Sequence, residues 1–248
     1  MSVVQGMTAR PSLSLSRIPG WISRWVGYRS RTPTKLPVCV IWLWSFVGAF
    51  GAMAILQAVF THADTFKARN VPPIVGSFAA SAVLCYGAIE APFSQPRSLV
   101  GGHTISAVIG VCIYKLFALS SHLDDIRWVA ASLACALALV AMAATATTHP
   151  PAGATALLAC TEEGVIGIGW YYIPVVILSS VLVLCVALFV NNIQRRYPVF
   201  WLSPAVAIPA PVEKELSAPG PDVDPNVREA GNTETTHPKT SHPADQLV

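Results

Sequence analysis

The sequence predicts an all-α membrane protein, a compact bundle of four to six transmembrane helices with short proline-broken half-helices. Apolar residues make up 53% of the chain and charged residues only 12%, against roughly 25% charged residues in soluble domains. Several apolar runs are long enough to cross a hydrocarbon core of about 30 Å. Two double prolines, Pro72-Pro73 and Pro150-Pro151, interrupt the apolar region. Irregular backbone at membrane depth survives only inside protein or beside a watery cavity.

Composition divides the chain into three regions. Residues 1–37 carry six basic residues and no acidic one, and we expect a flexible basic segment there. Residues 38–201 are almost uniformly apolar and form the predicted transmembrane domain. Residues 202–248 are rich in Pro, Ser, Thr and charged residues, a composition typical of a disordered polar tail.

Five apolar runs and one small-residue stretch are the candidate elements of the membrane domain. The second run, which we expect to begin at Pro72-Pro73 because proline is tolerated in a first helical turn, would rise about 24 Å as a helix. The small-residue stretch would rise about 14 Å, so both segments are short for a crossing. In chain order the runs are Val38–Phe60, Ile74–Ile89, Val100–Leu119, Trp128–Ala146 and Ile168–Val190, with the stretch Ala152–Cys160 before the last.

Basic residues predict the orientation. The N-terminal segment and Arg195-Arg196 both favour the cytosolic side or its equivalent, which requires an even number of crossings. Four crossings with two re-entrant half-helices satisfy this condition, and so do six. The membrane is either the plasma membrane or an organellar (mitochondrial) one, because the basic start also suits a transit peptide. Aromatic residues near the run ends fit an interfacial belt; they are Trp42, Trp44, Trp128, Trp170, Tyr171 and Tyr172.

The two double prolines form a weak internal repeat. Segments 71–77 and 149–155 each place two prolines before small residues, and each follows one long apolar run and precedes another. Paired, proline-interrupted segments in two halves of a chain point to the binding site of a transporter. We therefore expect the polar break at His149 to lie inside the membrane domain, close to Gln95-Pro96-Arg97.

These breaks contain the candidate binding residues for a small anion. A helix that starts just after Pro151 leaves its first N–H groups free, which makes an anion site. Arg97 offers a fixed charge with a planar donor fork, and the two nearby histidines can donate hydrogen bonds or change charge. The predicted substrate-binding residues are Glu90, Gln95, Arg97, Gly102, His103, His149, Pro150, Pro151, Gly153 and Thr155.

Plainer interpretations of the same residues stay open. His149 can simply cap a helix, Arg97 can be an interfacial anchor, and Glu90 can lie in water.

We find no nucleotide-binding glycine loop, no nucleophile elbow and no paired metal ligands, so we expect neither an enzyme nor a cofactor or metal. The six isolated cysteines read as buried small hydrophobic residues. A nucleic-acid partner is implausible, because the basic stretch adjoins a membrane span.

Three ordered blocks of the sequence resemble the HPP family of integral membrane proteins. They are His149-Pro150-Pro151-Ala152-Gly153-Ala154-Thr155-Ala156, then Gln95-Pro96-Arg97 with Gly101-Gly102-His103, and Asn191-Asn192-Ile193-Gln194-Arg195-Arg196-Tyr197-Pro198, which is similar to the ending of fungal members. Glu90 occupies the place where an acidic residue often precedes the second block.

The resemblance implies a helical membrane domain with four spans. Plant and cyanobacterial members are associated with nitrite transport, which makes a small-anion transporter or channel the leading expectation. The alternative is a non-transporting assembly or regulatory subunit, and a membrane hydrolase comes third. The expected partners are the lipid bilayer, a small anion and, because the domain is small, further copies of the chain.

Overall fold

The computed structural model describes residues 19–27 and 36–202. Within these ranges all regular structure is helical, which confirms the predicted fold class. Turns of π-helix at Val83–Gly87 and Arg97–Gly101, and 3-10 turns at Pro92–Ser94 and Gly169–Tyr171, extend or join the helices. The α-helices are α1 (Gly20–Trp25), α2 (Val38–His62), α3 (Asp64–Lys67), α4 (Ser77–Ala82), α5 (Gly102–Phe117), α6 (Leu123–Ala144), α7 (Pro150–Thr161), α8 (Glu163–Ile168) and α9 (Tyr172–Gln194).

Four helical segments of the described region are long and apolar enough to cross a membrane. They are α2, α5 with its preceding π-turn, α6, and α9 with α8 ahead of it. The α4 segment, Ser77–Gly87, and the 12-residue α7 are shorter. As a helix α7 rises about 18 Å, less than the hydrocarbon thickness of about 30 Å. The chain is therefore a multi-pass membrane protein with four long helices and two short ones.

The long helices carry their bulky side chains outward. On α2 the side chains of Trp42, Phe46 and Phe50 are 70%, 68% and 67% exposed. Exposed apolar side chains of this size are unfavourable in water and favourable against lipid tails. The pattern supports a bilayer around the bundle.

Small residues allow the helices behind that surface to approach closely. The buried face of α6 is an alanine stripe with one methionine, and α7 buries small residues against α5 and α6. At Gly110 of α5, a Cβ would lie 2.6 Å from the carbonyl oxygen of Ala156 and 2.7 Å from the Cβ of Ala159. Between membrane helices such small-residue contacts replace the hydrophobic effect as the source of packing energy.

The two double prolines have different positions relative to their helices. Pro150 and Pro151 occupy the first two positions of α7, where a missing N–H costs little. The prediction that Pro72-Pro73 begins the second run is wrong, because α4 begins at Ser77 and residues 71–75 are irregular. The similarity of the two segments therefore does not extend to how each helix starts.

The beginning of α2 and the end of α9 lie at the same end of the bundle. Trp44 Nε1 of α2 donates to Gln194 Oε1 at 2.8 Å. Arg24 of α1 donates to the carbonyl oxygens of Asn192 and Ile193 at 3.3 and 2.6 Å. This arrangement agrees with an even number of crossings.

The predicted domain limits stay predictions, because residues 203–248 and most of 1–37 lie outside the described residues. The short helix α1 does fall within the segment expected to be flexible.

Gly110→Ala should destabilise the fold. The added methyl group overlaps the backbone of α7 and forces α5 and α7 apart, at a cost of about 1–3 kcal/mol. Gly167→Ala in α8 is the matched control, because its Cβ meets no atom within 4 Å. Thermal unfolding in detergent would contradict the packing if the two variants melted at the same temperature.

Tags at Met1 and Val248 should have equal accessibility in sealed cells. The basic flanks and the shared end of α2 and α9 both predict that the termini lie on one side of the membrane. Protease or antibody access measured before and after permeabilisation tests this, and opposite accessibility would rule the topology out.

Candidate functional site

A cluster of polar side chains lies where α4, α5 and α7 meet. Ser77 and Ser81 project from α4, His103 from α5, and Thr155 from α7, while His149 immediately precedes α7. Four of these side chains are fully buried, and Ser77 is 3% exposed. Polar groups inside a membrane domain are costly and commonly mark substrate or proton pathways. We call these five residues the histidine–hydroxyl network.

An unbroken series of hydrogen bonds joins the network. Ser77 Oγ lies 2.7 Å from Thr155 Oγ1, which lies 2.7 Å from His103 Nδ1. Ser81 Oγ lies 2.8 Å from His103 Nε2 and 2.9 Å from His149 Nε2, and so bridges the two rings. His149 Nδ1 lies 2.7 Å from the carbonyl oxygen of Phe93. The series thus runs from Ser77 to a backbone carbonyl five links away.

That carbonyl sets the directions of the hydrogen bonds in the neutral network once the single Ser81 proton goes to His149 Nε2, 2.9 Å away, rather than to the Ser77 carbonyl oxygen at 3.2 Å. A carbonyl oxygen only accepts, so His149 carries its proton on Nδ1 and leaves Nε2 to accept from the Ser81 hydroxyl. Ser81 Oγ then accepts from His103 Nε2–H, and His103 Nδ1 accepts from Thr155. Thr155 Oγ1 in turn accepts from Ser77. We therefore assign the Nδ1 tautomer to His149 and the Nε2 tautomer to His103.

Packing holds the two imidazole rings in place. The ring of Phe78 stacks on His103 with centroids 4.4 Å apart, and the two histidine rings lie edge to face at 4.9 Å. A Cβ at Gly102 would lie 2.8 Å from both His149 Cβ and the carbonyl oxygen of Thr147. Gly102 therefore lets α5 approach the His149 loop closely.

Tyr172 anchors the other side of the network. Its hydroxyl donates to the carbonyl oxygen of Thr155 at 3.1 Å, and its side chain is fully buried. The prediction that Tyr172 belongs to an interfacial belt is therefore wrong. Of the other five predicted belt residues, Trp42, Trp128 and Trp170 are more than half exposed, and Trp44 and Tyr171 are half-buried.

A pocket of about 230 Å³ adjoins the network at its Phe93 end. Phe93 lines this pocket, and its carbonyl oxygen accepts the His149 hydrogen bond. Arg97 and Thr148 contribute polar atoms to the wall, and the remaining lining is mainly apolar. Its lining residues are Pro92, Phe93, Arg97, Ser98, Ala146, Thr148, Phe200 and Leu202.

The loop before His149 is held in an uncommon conformation. Ala146 has φ +52°, and its N–H and that of Thr147 bond to the carbonyl oxygens of Ala143 and Met142. This pair of bonds is the Schellman ending of a helix, in which glycine usually takes the left-handed position. The ending turns the chain abruptly from α6 into the His149 loop and exposes Ala146 in the pocket wall.

The free helix start expected at α7 is absent. Pro150 and Pro151 have no N–H to offer, and the N–H of Ala152 already bonds to the carbonyl oxygen of His149 at 2.9 Å. The expectation of an anion site made of free N–H groups is therefore wrong. His149 is the N-cap residue, yet its side chain makes no capping hydrogen bond, so the plain capping interpretation is wrong as well.

Gln95 and Arg97 bind backbone rather than the network. The fully buried Gln95 side chain donates to the carbonyl oxygens of Ile89 and Ala91, both at 2.9 Å, and its Oε1 accepts from the N–H of Val199 at 2.8 Å. Arg97 donates to the carbonyl oxygens of Leu202 at 2.8 Å and Thr145 at 2.6 Å. The expected proximity of the Gln95–Arg97 segment to the His149 break is confirmed. The donor fork of Arg97, however, is directed at carbonyl oxygens.

Three other predicted residues lie away from the network. Glu90 is exposed on the loop after α4, as its plainer interpretation had it. Pro150 is exposed, and a Cβ at Gly153 would make only ordinary contact with Cys135, at 3.5 Å. Pro151 is buried at the start of α7 and contributes shape rather than a polar group.

Ser77 and Ser81 are the residues that the site prediction missed. They lie one turn apart in the apolar α4, so polar side chains at helical spacing were the available signal. Ser77 also aligns with Thr155 in the repeat of segments 71–77 and 149–155, and these two hydroxyls touch in the fold. As for metals, the described residues hold no group of three or more histidine, cysteine, aspartate or glutamate side chains that could bind one.

The end of α9 closes the α4 segment. Asn191 Nδ2 donates to the carbonyl oxygen of Cys85 at 2.9 Å, and Arg195 donates to that of Tyr86 at 3.0 Å. Arg195 also donates to Asn191 Oδ1 at 2.6 Å. A cation and an amide at a helix C-terminus satisfy its unpaired carbonyl groups and its dipole. These contacts hold α4, and with it Ser77 and Ser81, against α9.

Gln95→Ala should destabilise the membrane domain. It leaves the buried carbonyl oxygen of Ile89, the partly buried one of Ala91 and the N–H of Val199 without their partner, at a combined cost of about 2–4 kcal/mol. The exposed Glu90→Gln is the matched control, since surface changes usually stay within about 0.5 kcal/mol. Thermal unfolding in detergent measures both, and a Gln95→Ala variant as stable as Glu90→Gln would contradict the buried hydrogen bonds.

Comparison with known proteins agrees with this architecture. The family model for the HPP transmembrane region matches residues 35–198. Two transmembrane proteins of Dictyostelium discoideum are 41% identical over 163 residues and 34% identical over 184 residues. These matches cover 64% and 73% of this chain, but only 50% and 63% of the relatives' own lengths.

No solved structure was found to match the chain. The family match includes the network, the Gln95–Arg97 segment and the whole of the four long helices. The chain belongs to the HPP family of integral membrane proteins.

Proposed function

We propose that this protein is a transporter or channel for a small anion, with nitrite as the first candidate, and that it is not an enzyme. The observation that carries the proposal is the histidine–hydroxyl network, a buried polar series at the contact between two short helices. Short or broken helices that meet near the middle of a membrane domain commonly form the binding sites of transporters. Buried polar side chains in such a place commonly mark a pathway.

In this proposal the pocket is the entrance for the anion. Its volume of about 230 Å³ exceeds several times the roughly 30 Å³ that one water occupies in the liquid. A triatomic anion therefore fits there with part of its hydration shell. Arg97, half-buried in the pocket wall, gives this end of the network a positive potential that attracts anions.

The network supplies the ligands for the next step. Hydroxyl and imidazole groups can turn their N–H and O–H bonds toward an anion that displaces one of their partners. An anion that leaves water needs such donors, because its burial without hydrogen bonds is very costly. In this proposal His149, His103 and Thr155 bind the anion, and Arg97 attracts it. Gly102 keeps α5 close to the loop that carries His149.

His149→Ala should reduce anion flux by roughly tenfold or more, because each unmet buried hydrogen bond costs about 1–3 kcal/mol. The purified protein is reconstituted in liposomes, and nitrite, nitrate, chloride and formate are each tested for uptake. His122→Ala, at an exposed histidine, is the matched control. His149→Gln removes the imidazole ring but keeps a polar side chain of similar size, so it separates loss of the ring from loss of side-chain volume. Arg97→Lys should also lower the flux, since lysine lacks the planar fork that reaches both carbonyl oxygens.

Two outcomes would contradict the proposal at different levels. If the wild-type protein moves none of the four anions faster than empty vesicles, the transporter assignment fails and a role as an assembly or regulatory subunit takes its place. If flux is present and His149→Ala matches the wild type, transport stands and the site assignment fails.

A further inference from the structure

The histidine–hydroxyl network contains no permanent charge. All six acidic residues of the described region, Asp64, Glu90, Asp124, Asp125, Glu162 and Glu163, are exposed. Among the described residues no lysine or arginine side chain bonds to any member of the network. Arg97 lies in the pocket wall, and Arg195 bonds to the end of the α4 segment. An anion that passed the pocket would therefore enter a neutral, buried site.

A lone anion in such a site is strongly unfavourable. The network itself can compensate, because its two imidazole rings are the only members that can become positively charged, and an anion bound beside a ring favours its charged form. Other titratable groups lie on the neighbouring helices, but a tyrosine or cysteine side chain cannot become positively charged. They are Tyr172 of α9, which bonds to the Thr155 carbonyl, Cys85 of the α4 segment, whose thiol contacts the Ser94 carbonyl, and Cys135 of α6 beside Gly153.

The network can accept one additional proton without losing a hydrogen bond between its members. Both nitrogens of His103 contact hydroxyl groups, and a hydroxyl can accept as well as donate. If His103 is protonated on Nδ1, Thr155 accepts that bond and turns its own proton toward Ser77. If His149 is protonated on Nε2, Ser81 accepts that bond and turns its proton toward the carbonyl oxygen of Ser77, 3.2 Å away.

The same bonds let the proton move from one ring to the other. A proton binds His103 Nδ1, and the Nε2–H bond then breaks as a new O–H bond forms on Ser81. Ser81 releases its original proton to His149 Nε2, while the hydrogen bond from His149 Nδ1–H to the Phe93 carbonyl oxygen stays in place. Each transfer between the rings forms one bond to hydrogen and breaks one, so the positive charge moves from His103 to His149, next to the pocket, and no electrons are transferred.

We propose that the histidine–hydroxyl network binds one proton together with each anion, which makes the protein an anion–proton symporter. This inference rests on the proposed transport function and deepens it. Simultaneous binding follows from the charge balance, because the protonated imidazole is the counter-charge that the anion lacks. The proton and the anion therefore move in the same direction, and the pair carries no net charge.

The first experiment measures proton movement with anion movement in the same vesicles. Proteoliposomes hold a pH-sensitive dye, both sides start at the same pH, and potassium with valinomycin holds the membrane potential at zero. An inward gradient of nitrate should then acidify the lumen in proportion to nitrate uptake. Nitrite is measured in parallel, with empty vesicles to subtract the passive entry of nitrous acid. A pH gradient with the outside more alkaline than the lumen opposes proton entry and should therefore slow anion uptake.

Ser81 provides the test of the pathway. Ser81→Ala removes the hydroxyl that joins the two rings, and coupled uptake should fall roughly tenfold or more, within the range of effects of a lost proton-transfer group. Ser81→Thr keeps the hydroxyl and should retain most of the uptake. Ser180→Ala is the matched control, because Ser180 is equally buried but bonds only to its own helix, at the carbonyl oxygen of Val176.

A second measurement is independent of transport. Nitrogen NMR of protein labelled on its histidines should show Nδ1–H for His149 and Nε2–H for His103, with His103→Gln and His149→Gln used for assignment. Other tautomers would contradict the direction of the network and, with it, the proton pathway.

The outcomes separate the proposals. Anion uptake by the wild type without acidification of the lumen overturns symport and leaves transport intact. Acidification that is unchanged in Ser81→Ala overturns the pathway through the network. Absence of uptake for every anion overturns transport itself and symport with it.

Discussion

The hydrogen bond between His149 Nδ1 and the carbonyl oxygen of Phe93 determines how the centre of this protein is arranged. Because this acceptor cannot donate, one end of a five-residue series is defined, and the tautomer or hydroxyl direction of each member follows in turn. The bond also joins the loop before α7 to the segment before α5. A polar interior at this depth is tolerable because its side-chain groups satisfy one another.

Close backbone approach makes that arrangement possible. Gly102 and Gly110 lie on α5 at points where a Cβ would overlap the His149 loop and α7 respectively. The alanine stripe of α6 supports α7 from another side. Bulky apolar residues face outward on the long helices, so the domain reverses the distribution of large side chains that is usual in soluble proteins. The narrow interior is therefore formed by small residues and by a few polar ones.

The segments on either side of the site are held by side chains that bind backbone carbonyl groups. Asn191 and Arg195 close the α4 segment, and Gln95 and Arg97 connect the loops before α5 to residues 199–202 and to Thr145. Two of these four residues were predicted to contact an anion. Their donors instead satisfy carbonyl oxygens that irregular backbone leaves without helical partners. A polar residue in an apolar sequence therefore has two possible roles, and its identity alone does not distinguish them.

The sequence by itself determined the membrane class, the approximate positions of the long apolar helices and the position of the polar breaks. These follow from the length of each apolar run and from proline, properties that act locally and need no partner. It also indicated His103, His149 and Thr155 as candidates. Only the tertiary structure decided that Ser77 and Ser81 join them, that α4 begins four residues after Pro73, and that Arg97 turns to carbonyl oxygens. The physical reason is that helices apolar on nearly all sides carry little periodic signal, so their rotation and register are set by contacts between helices.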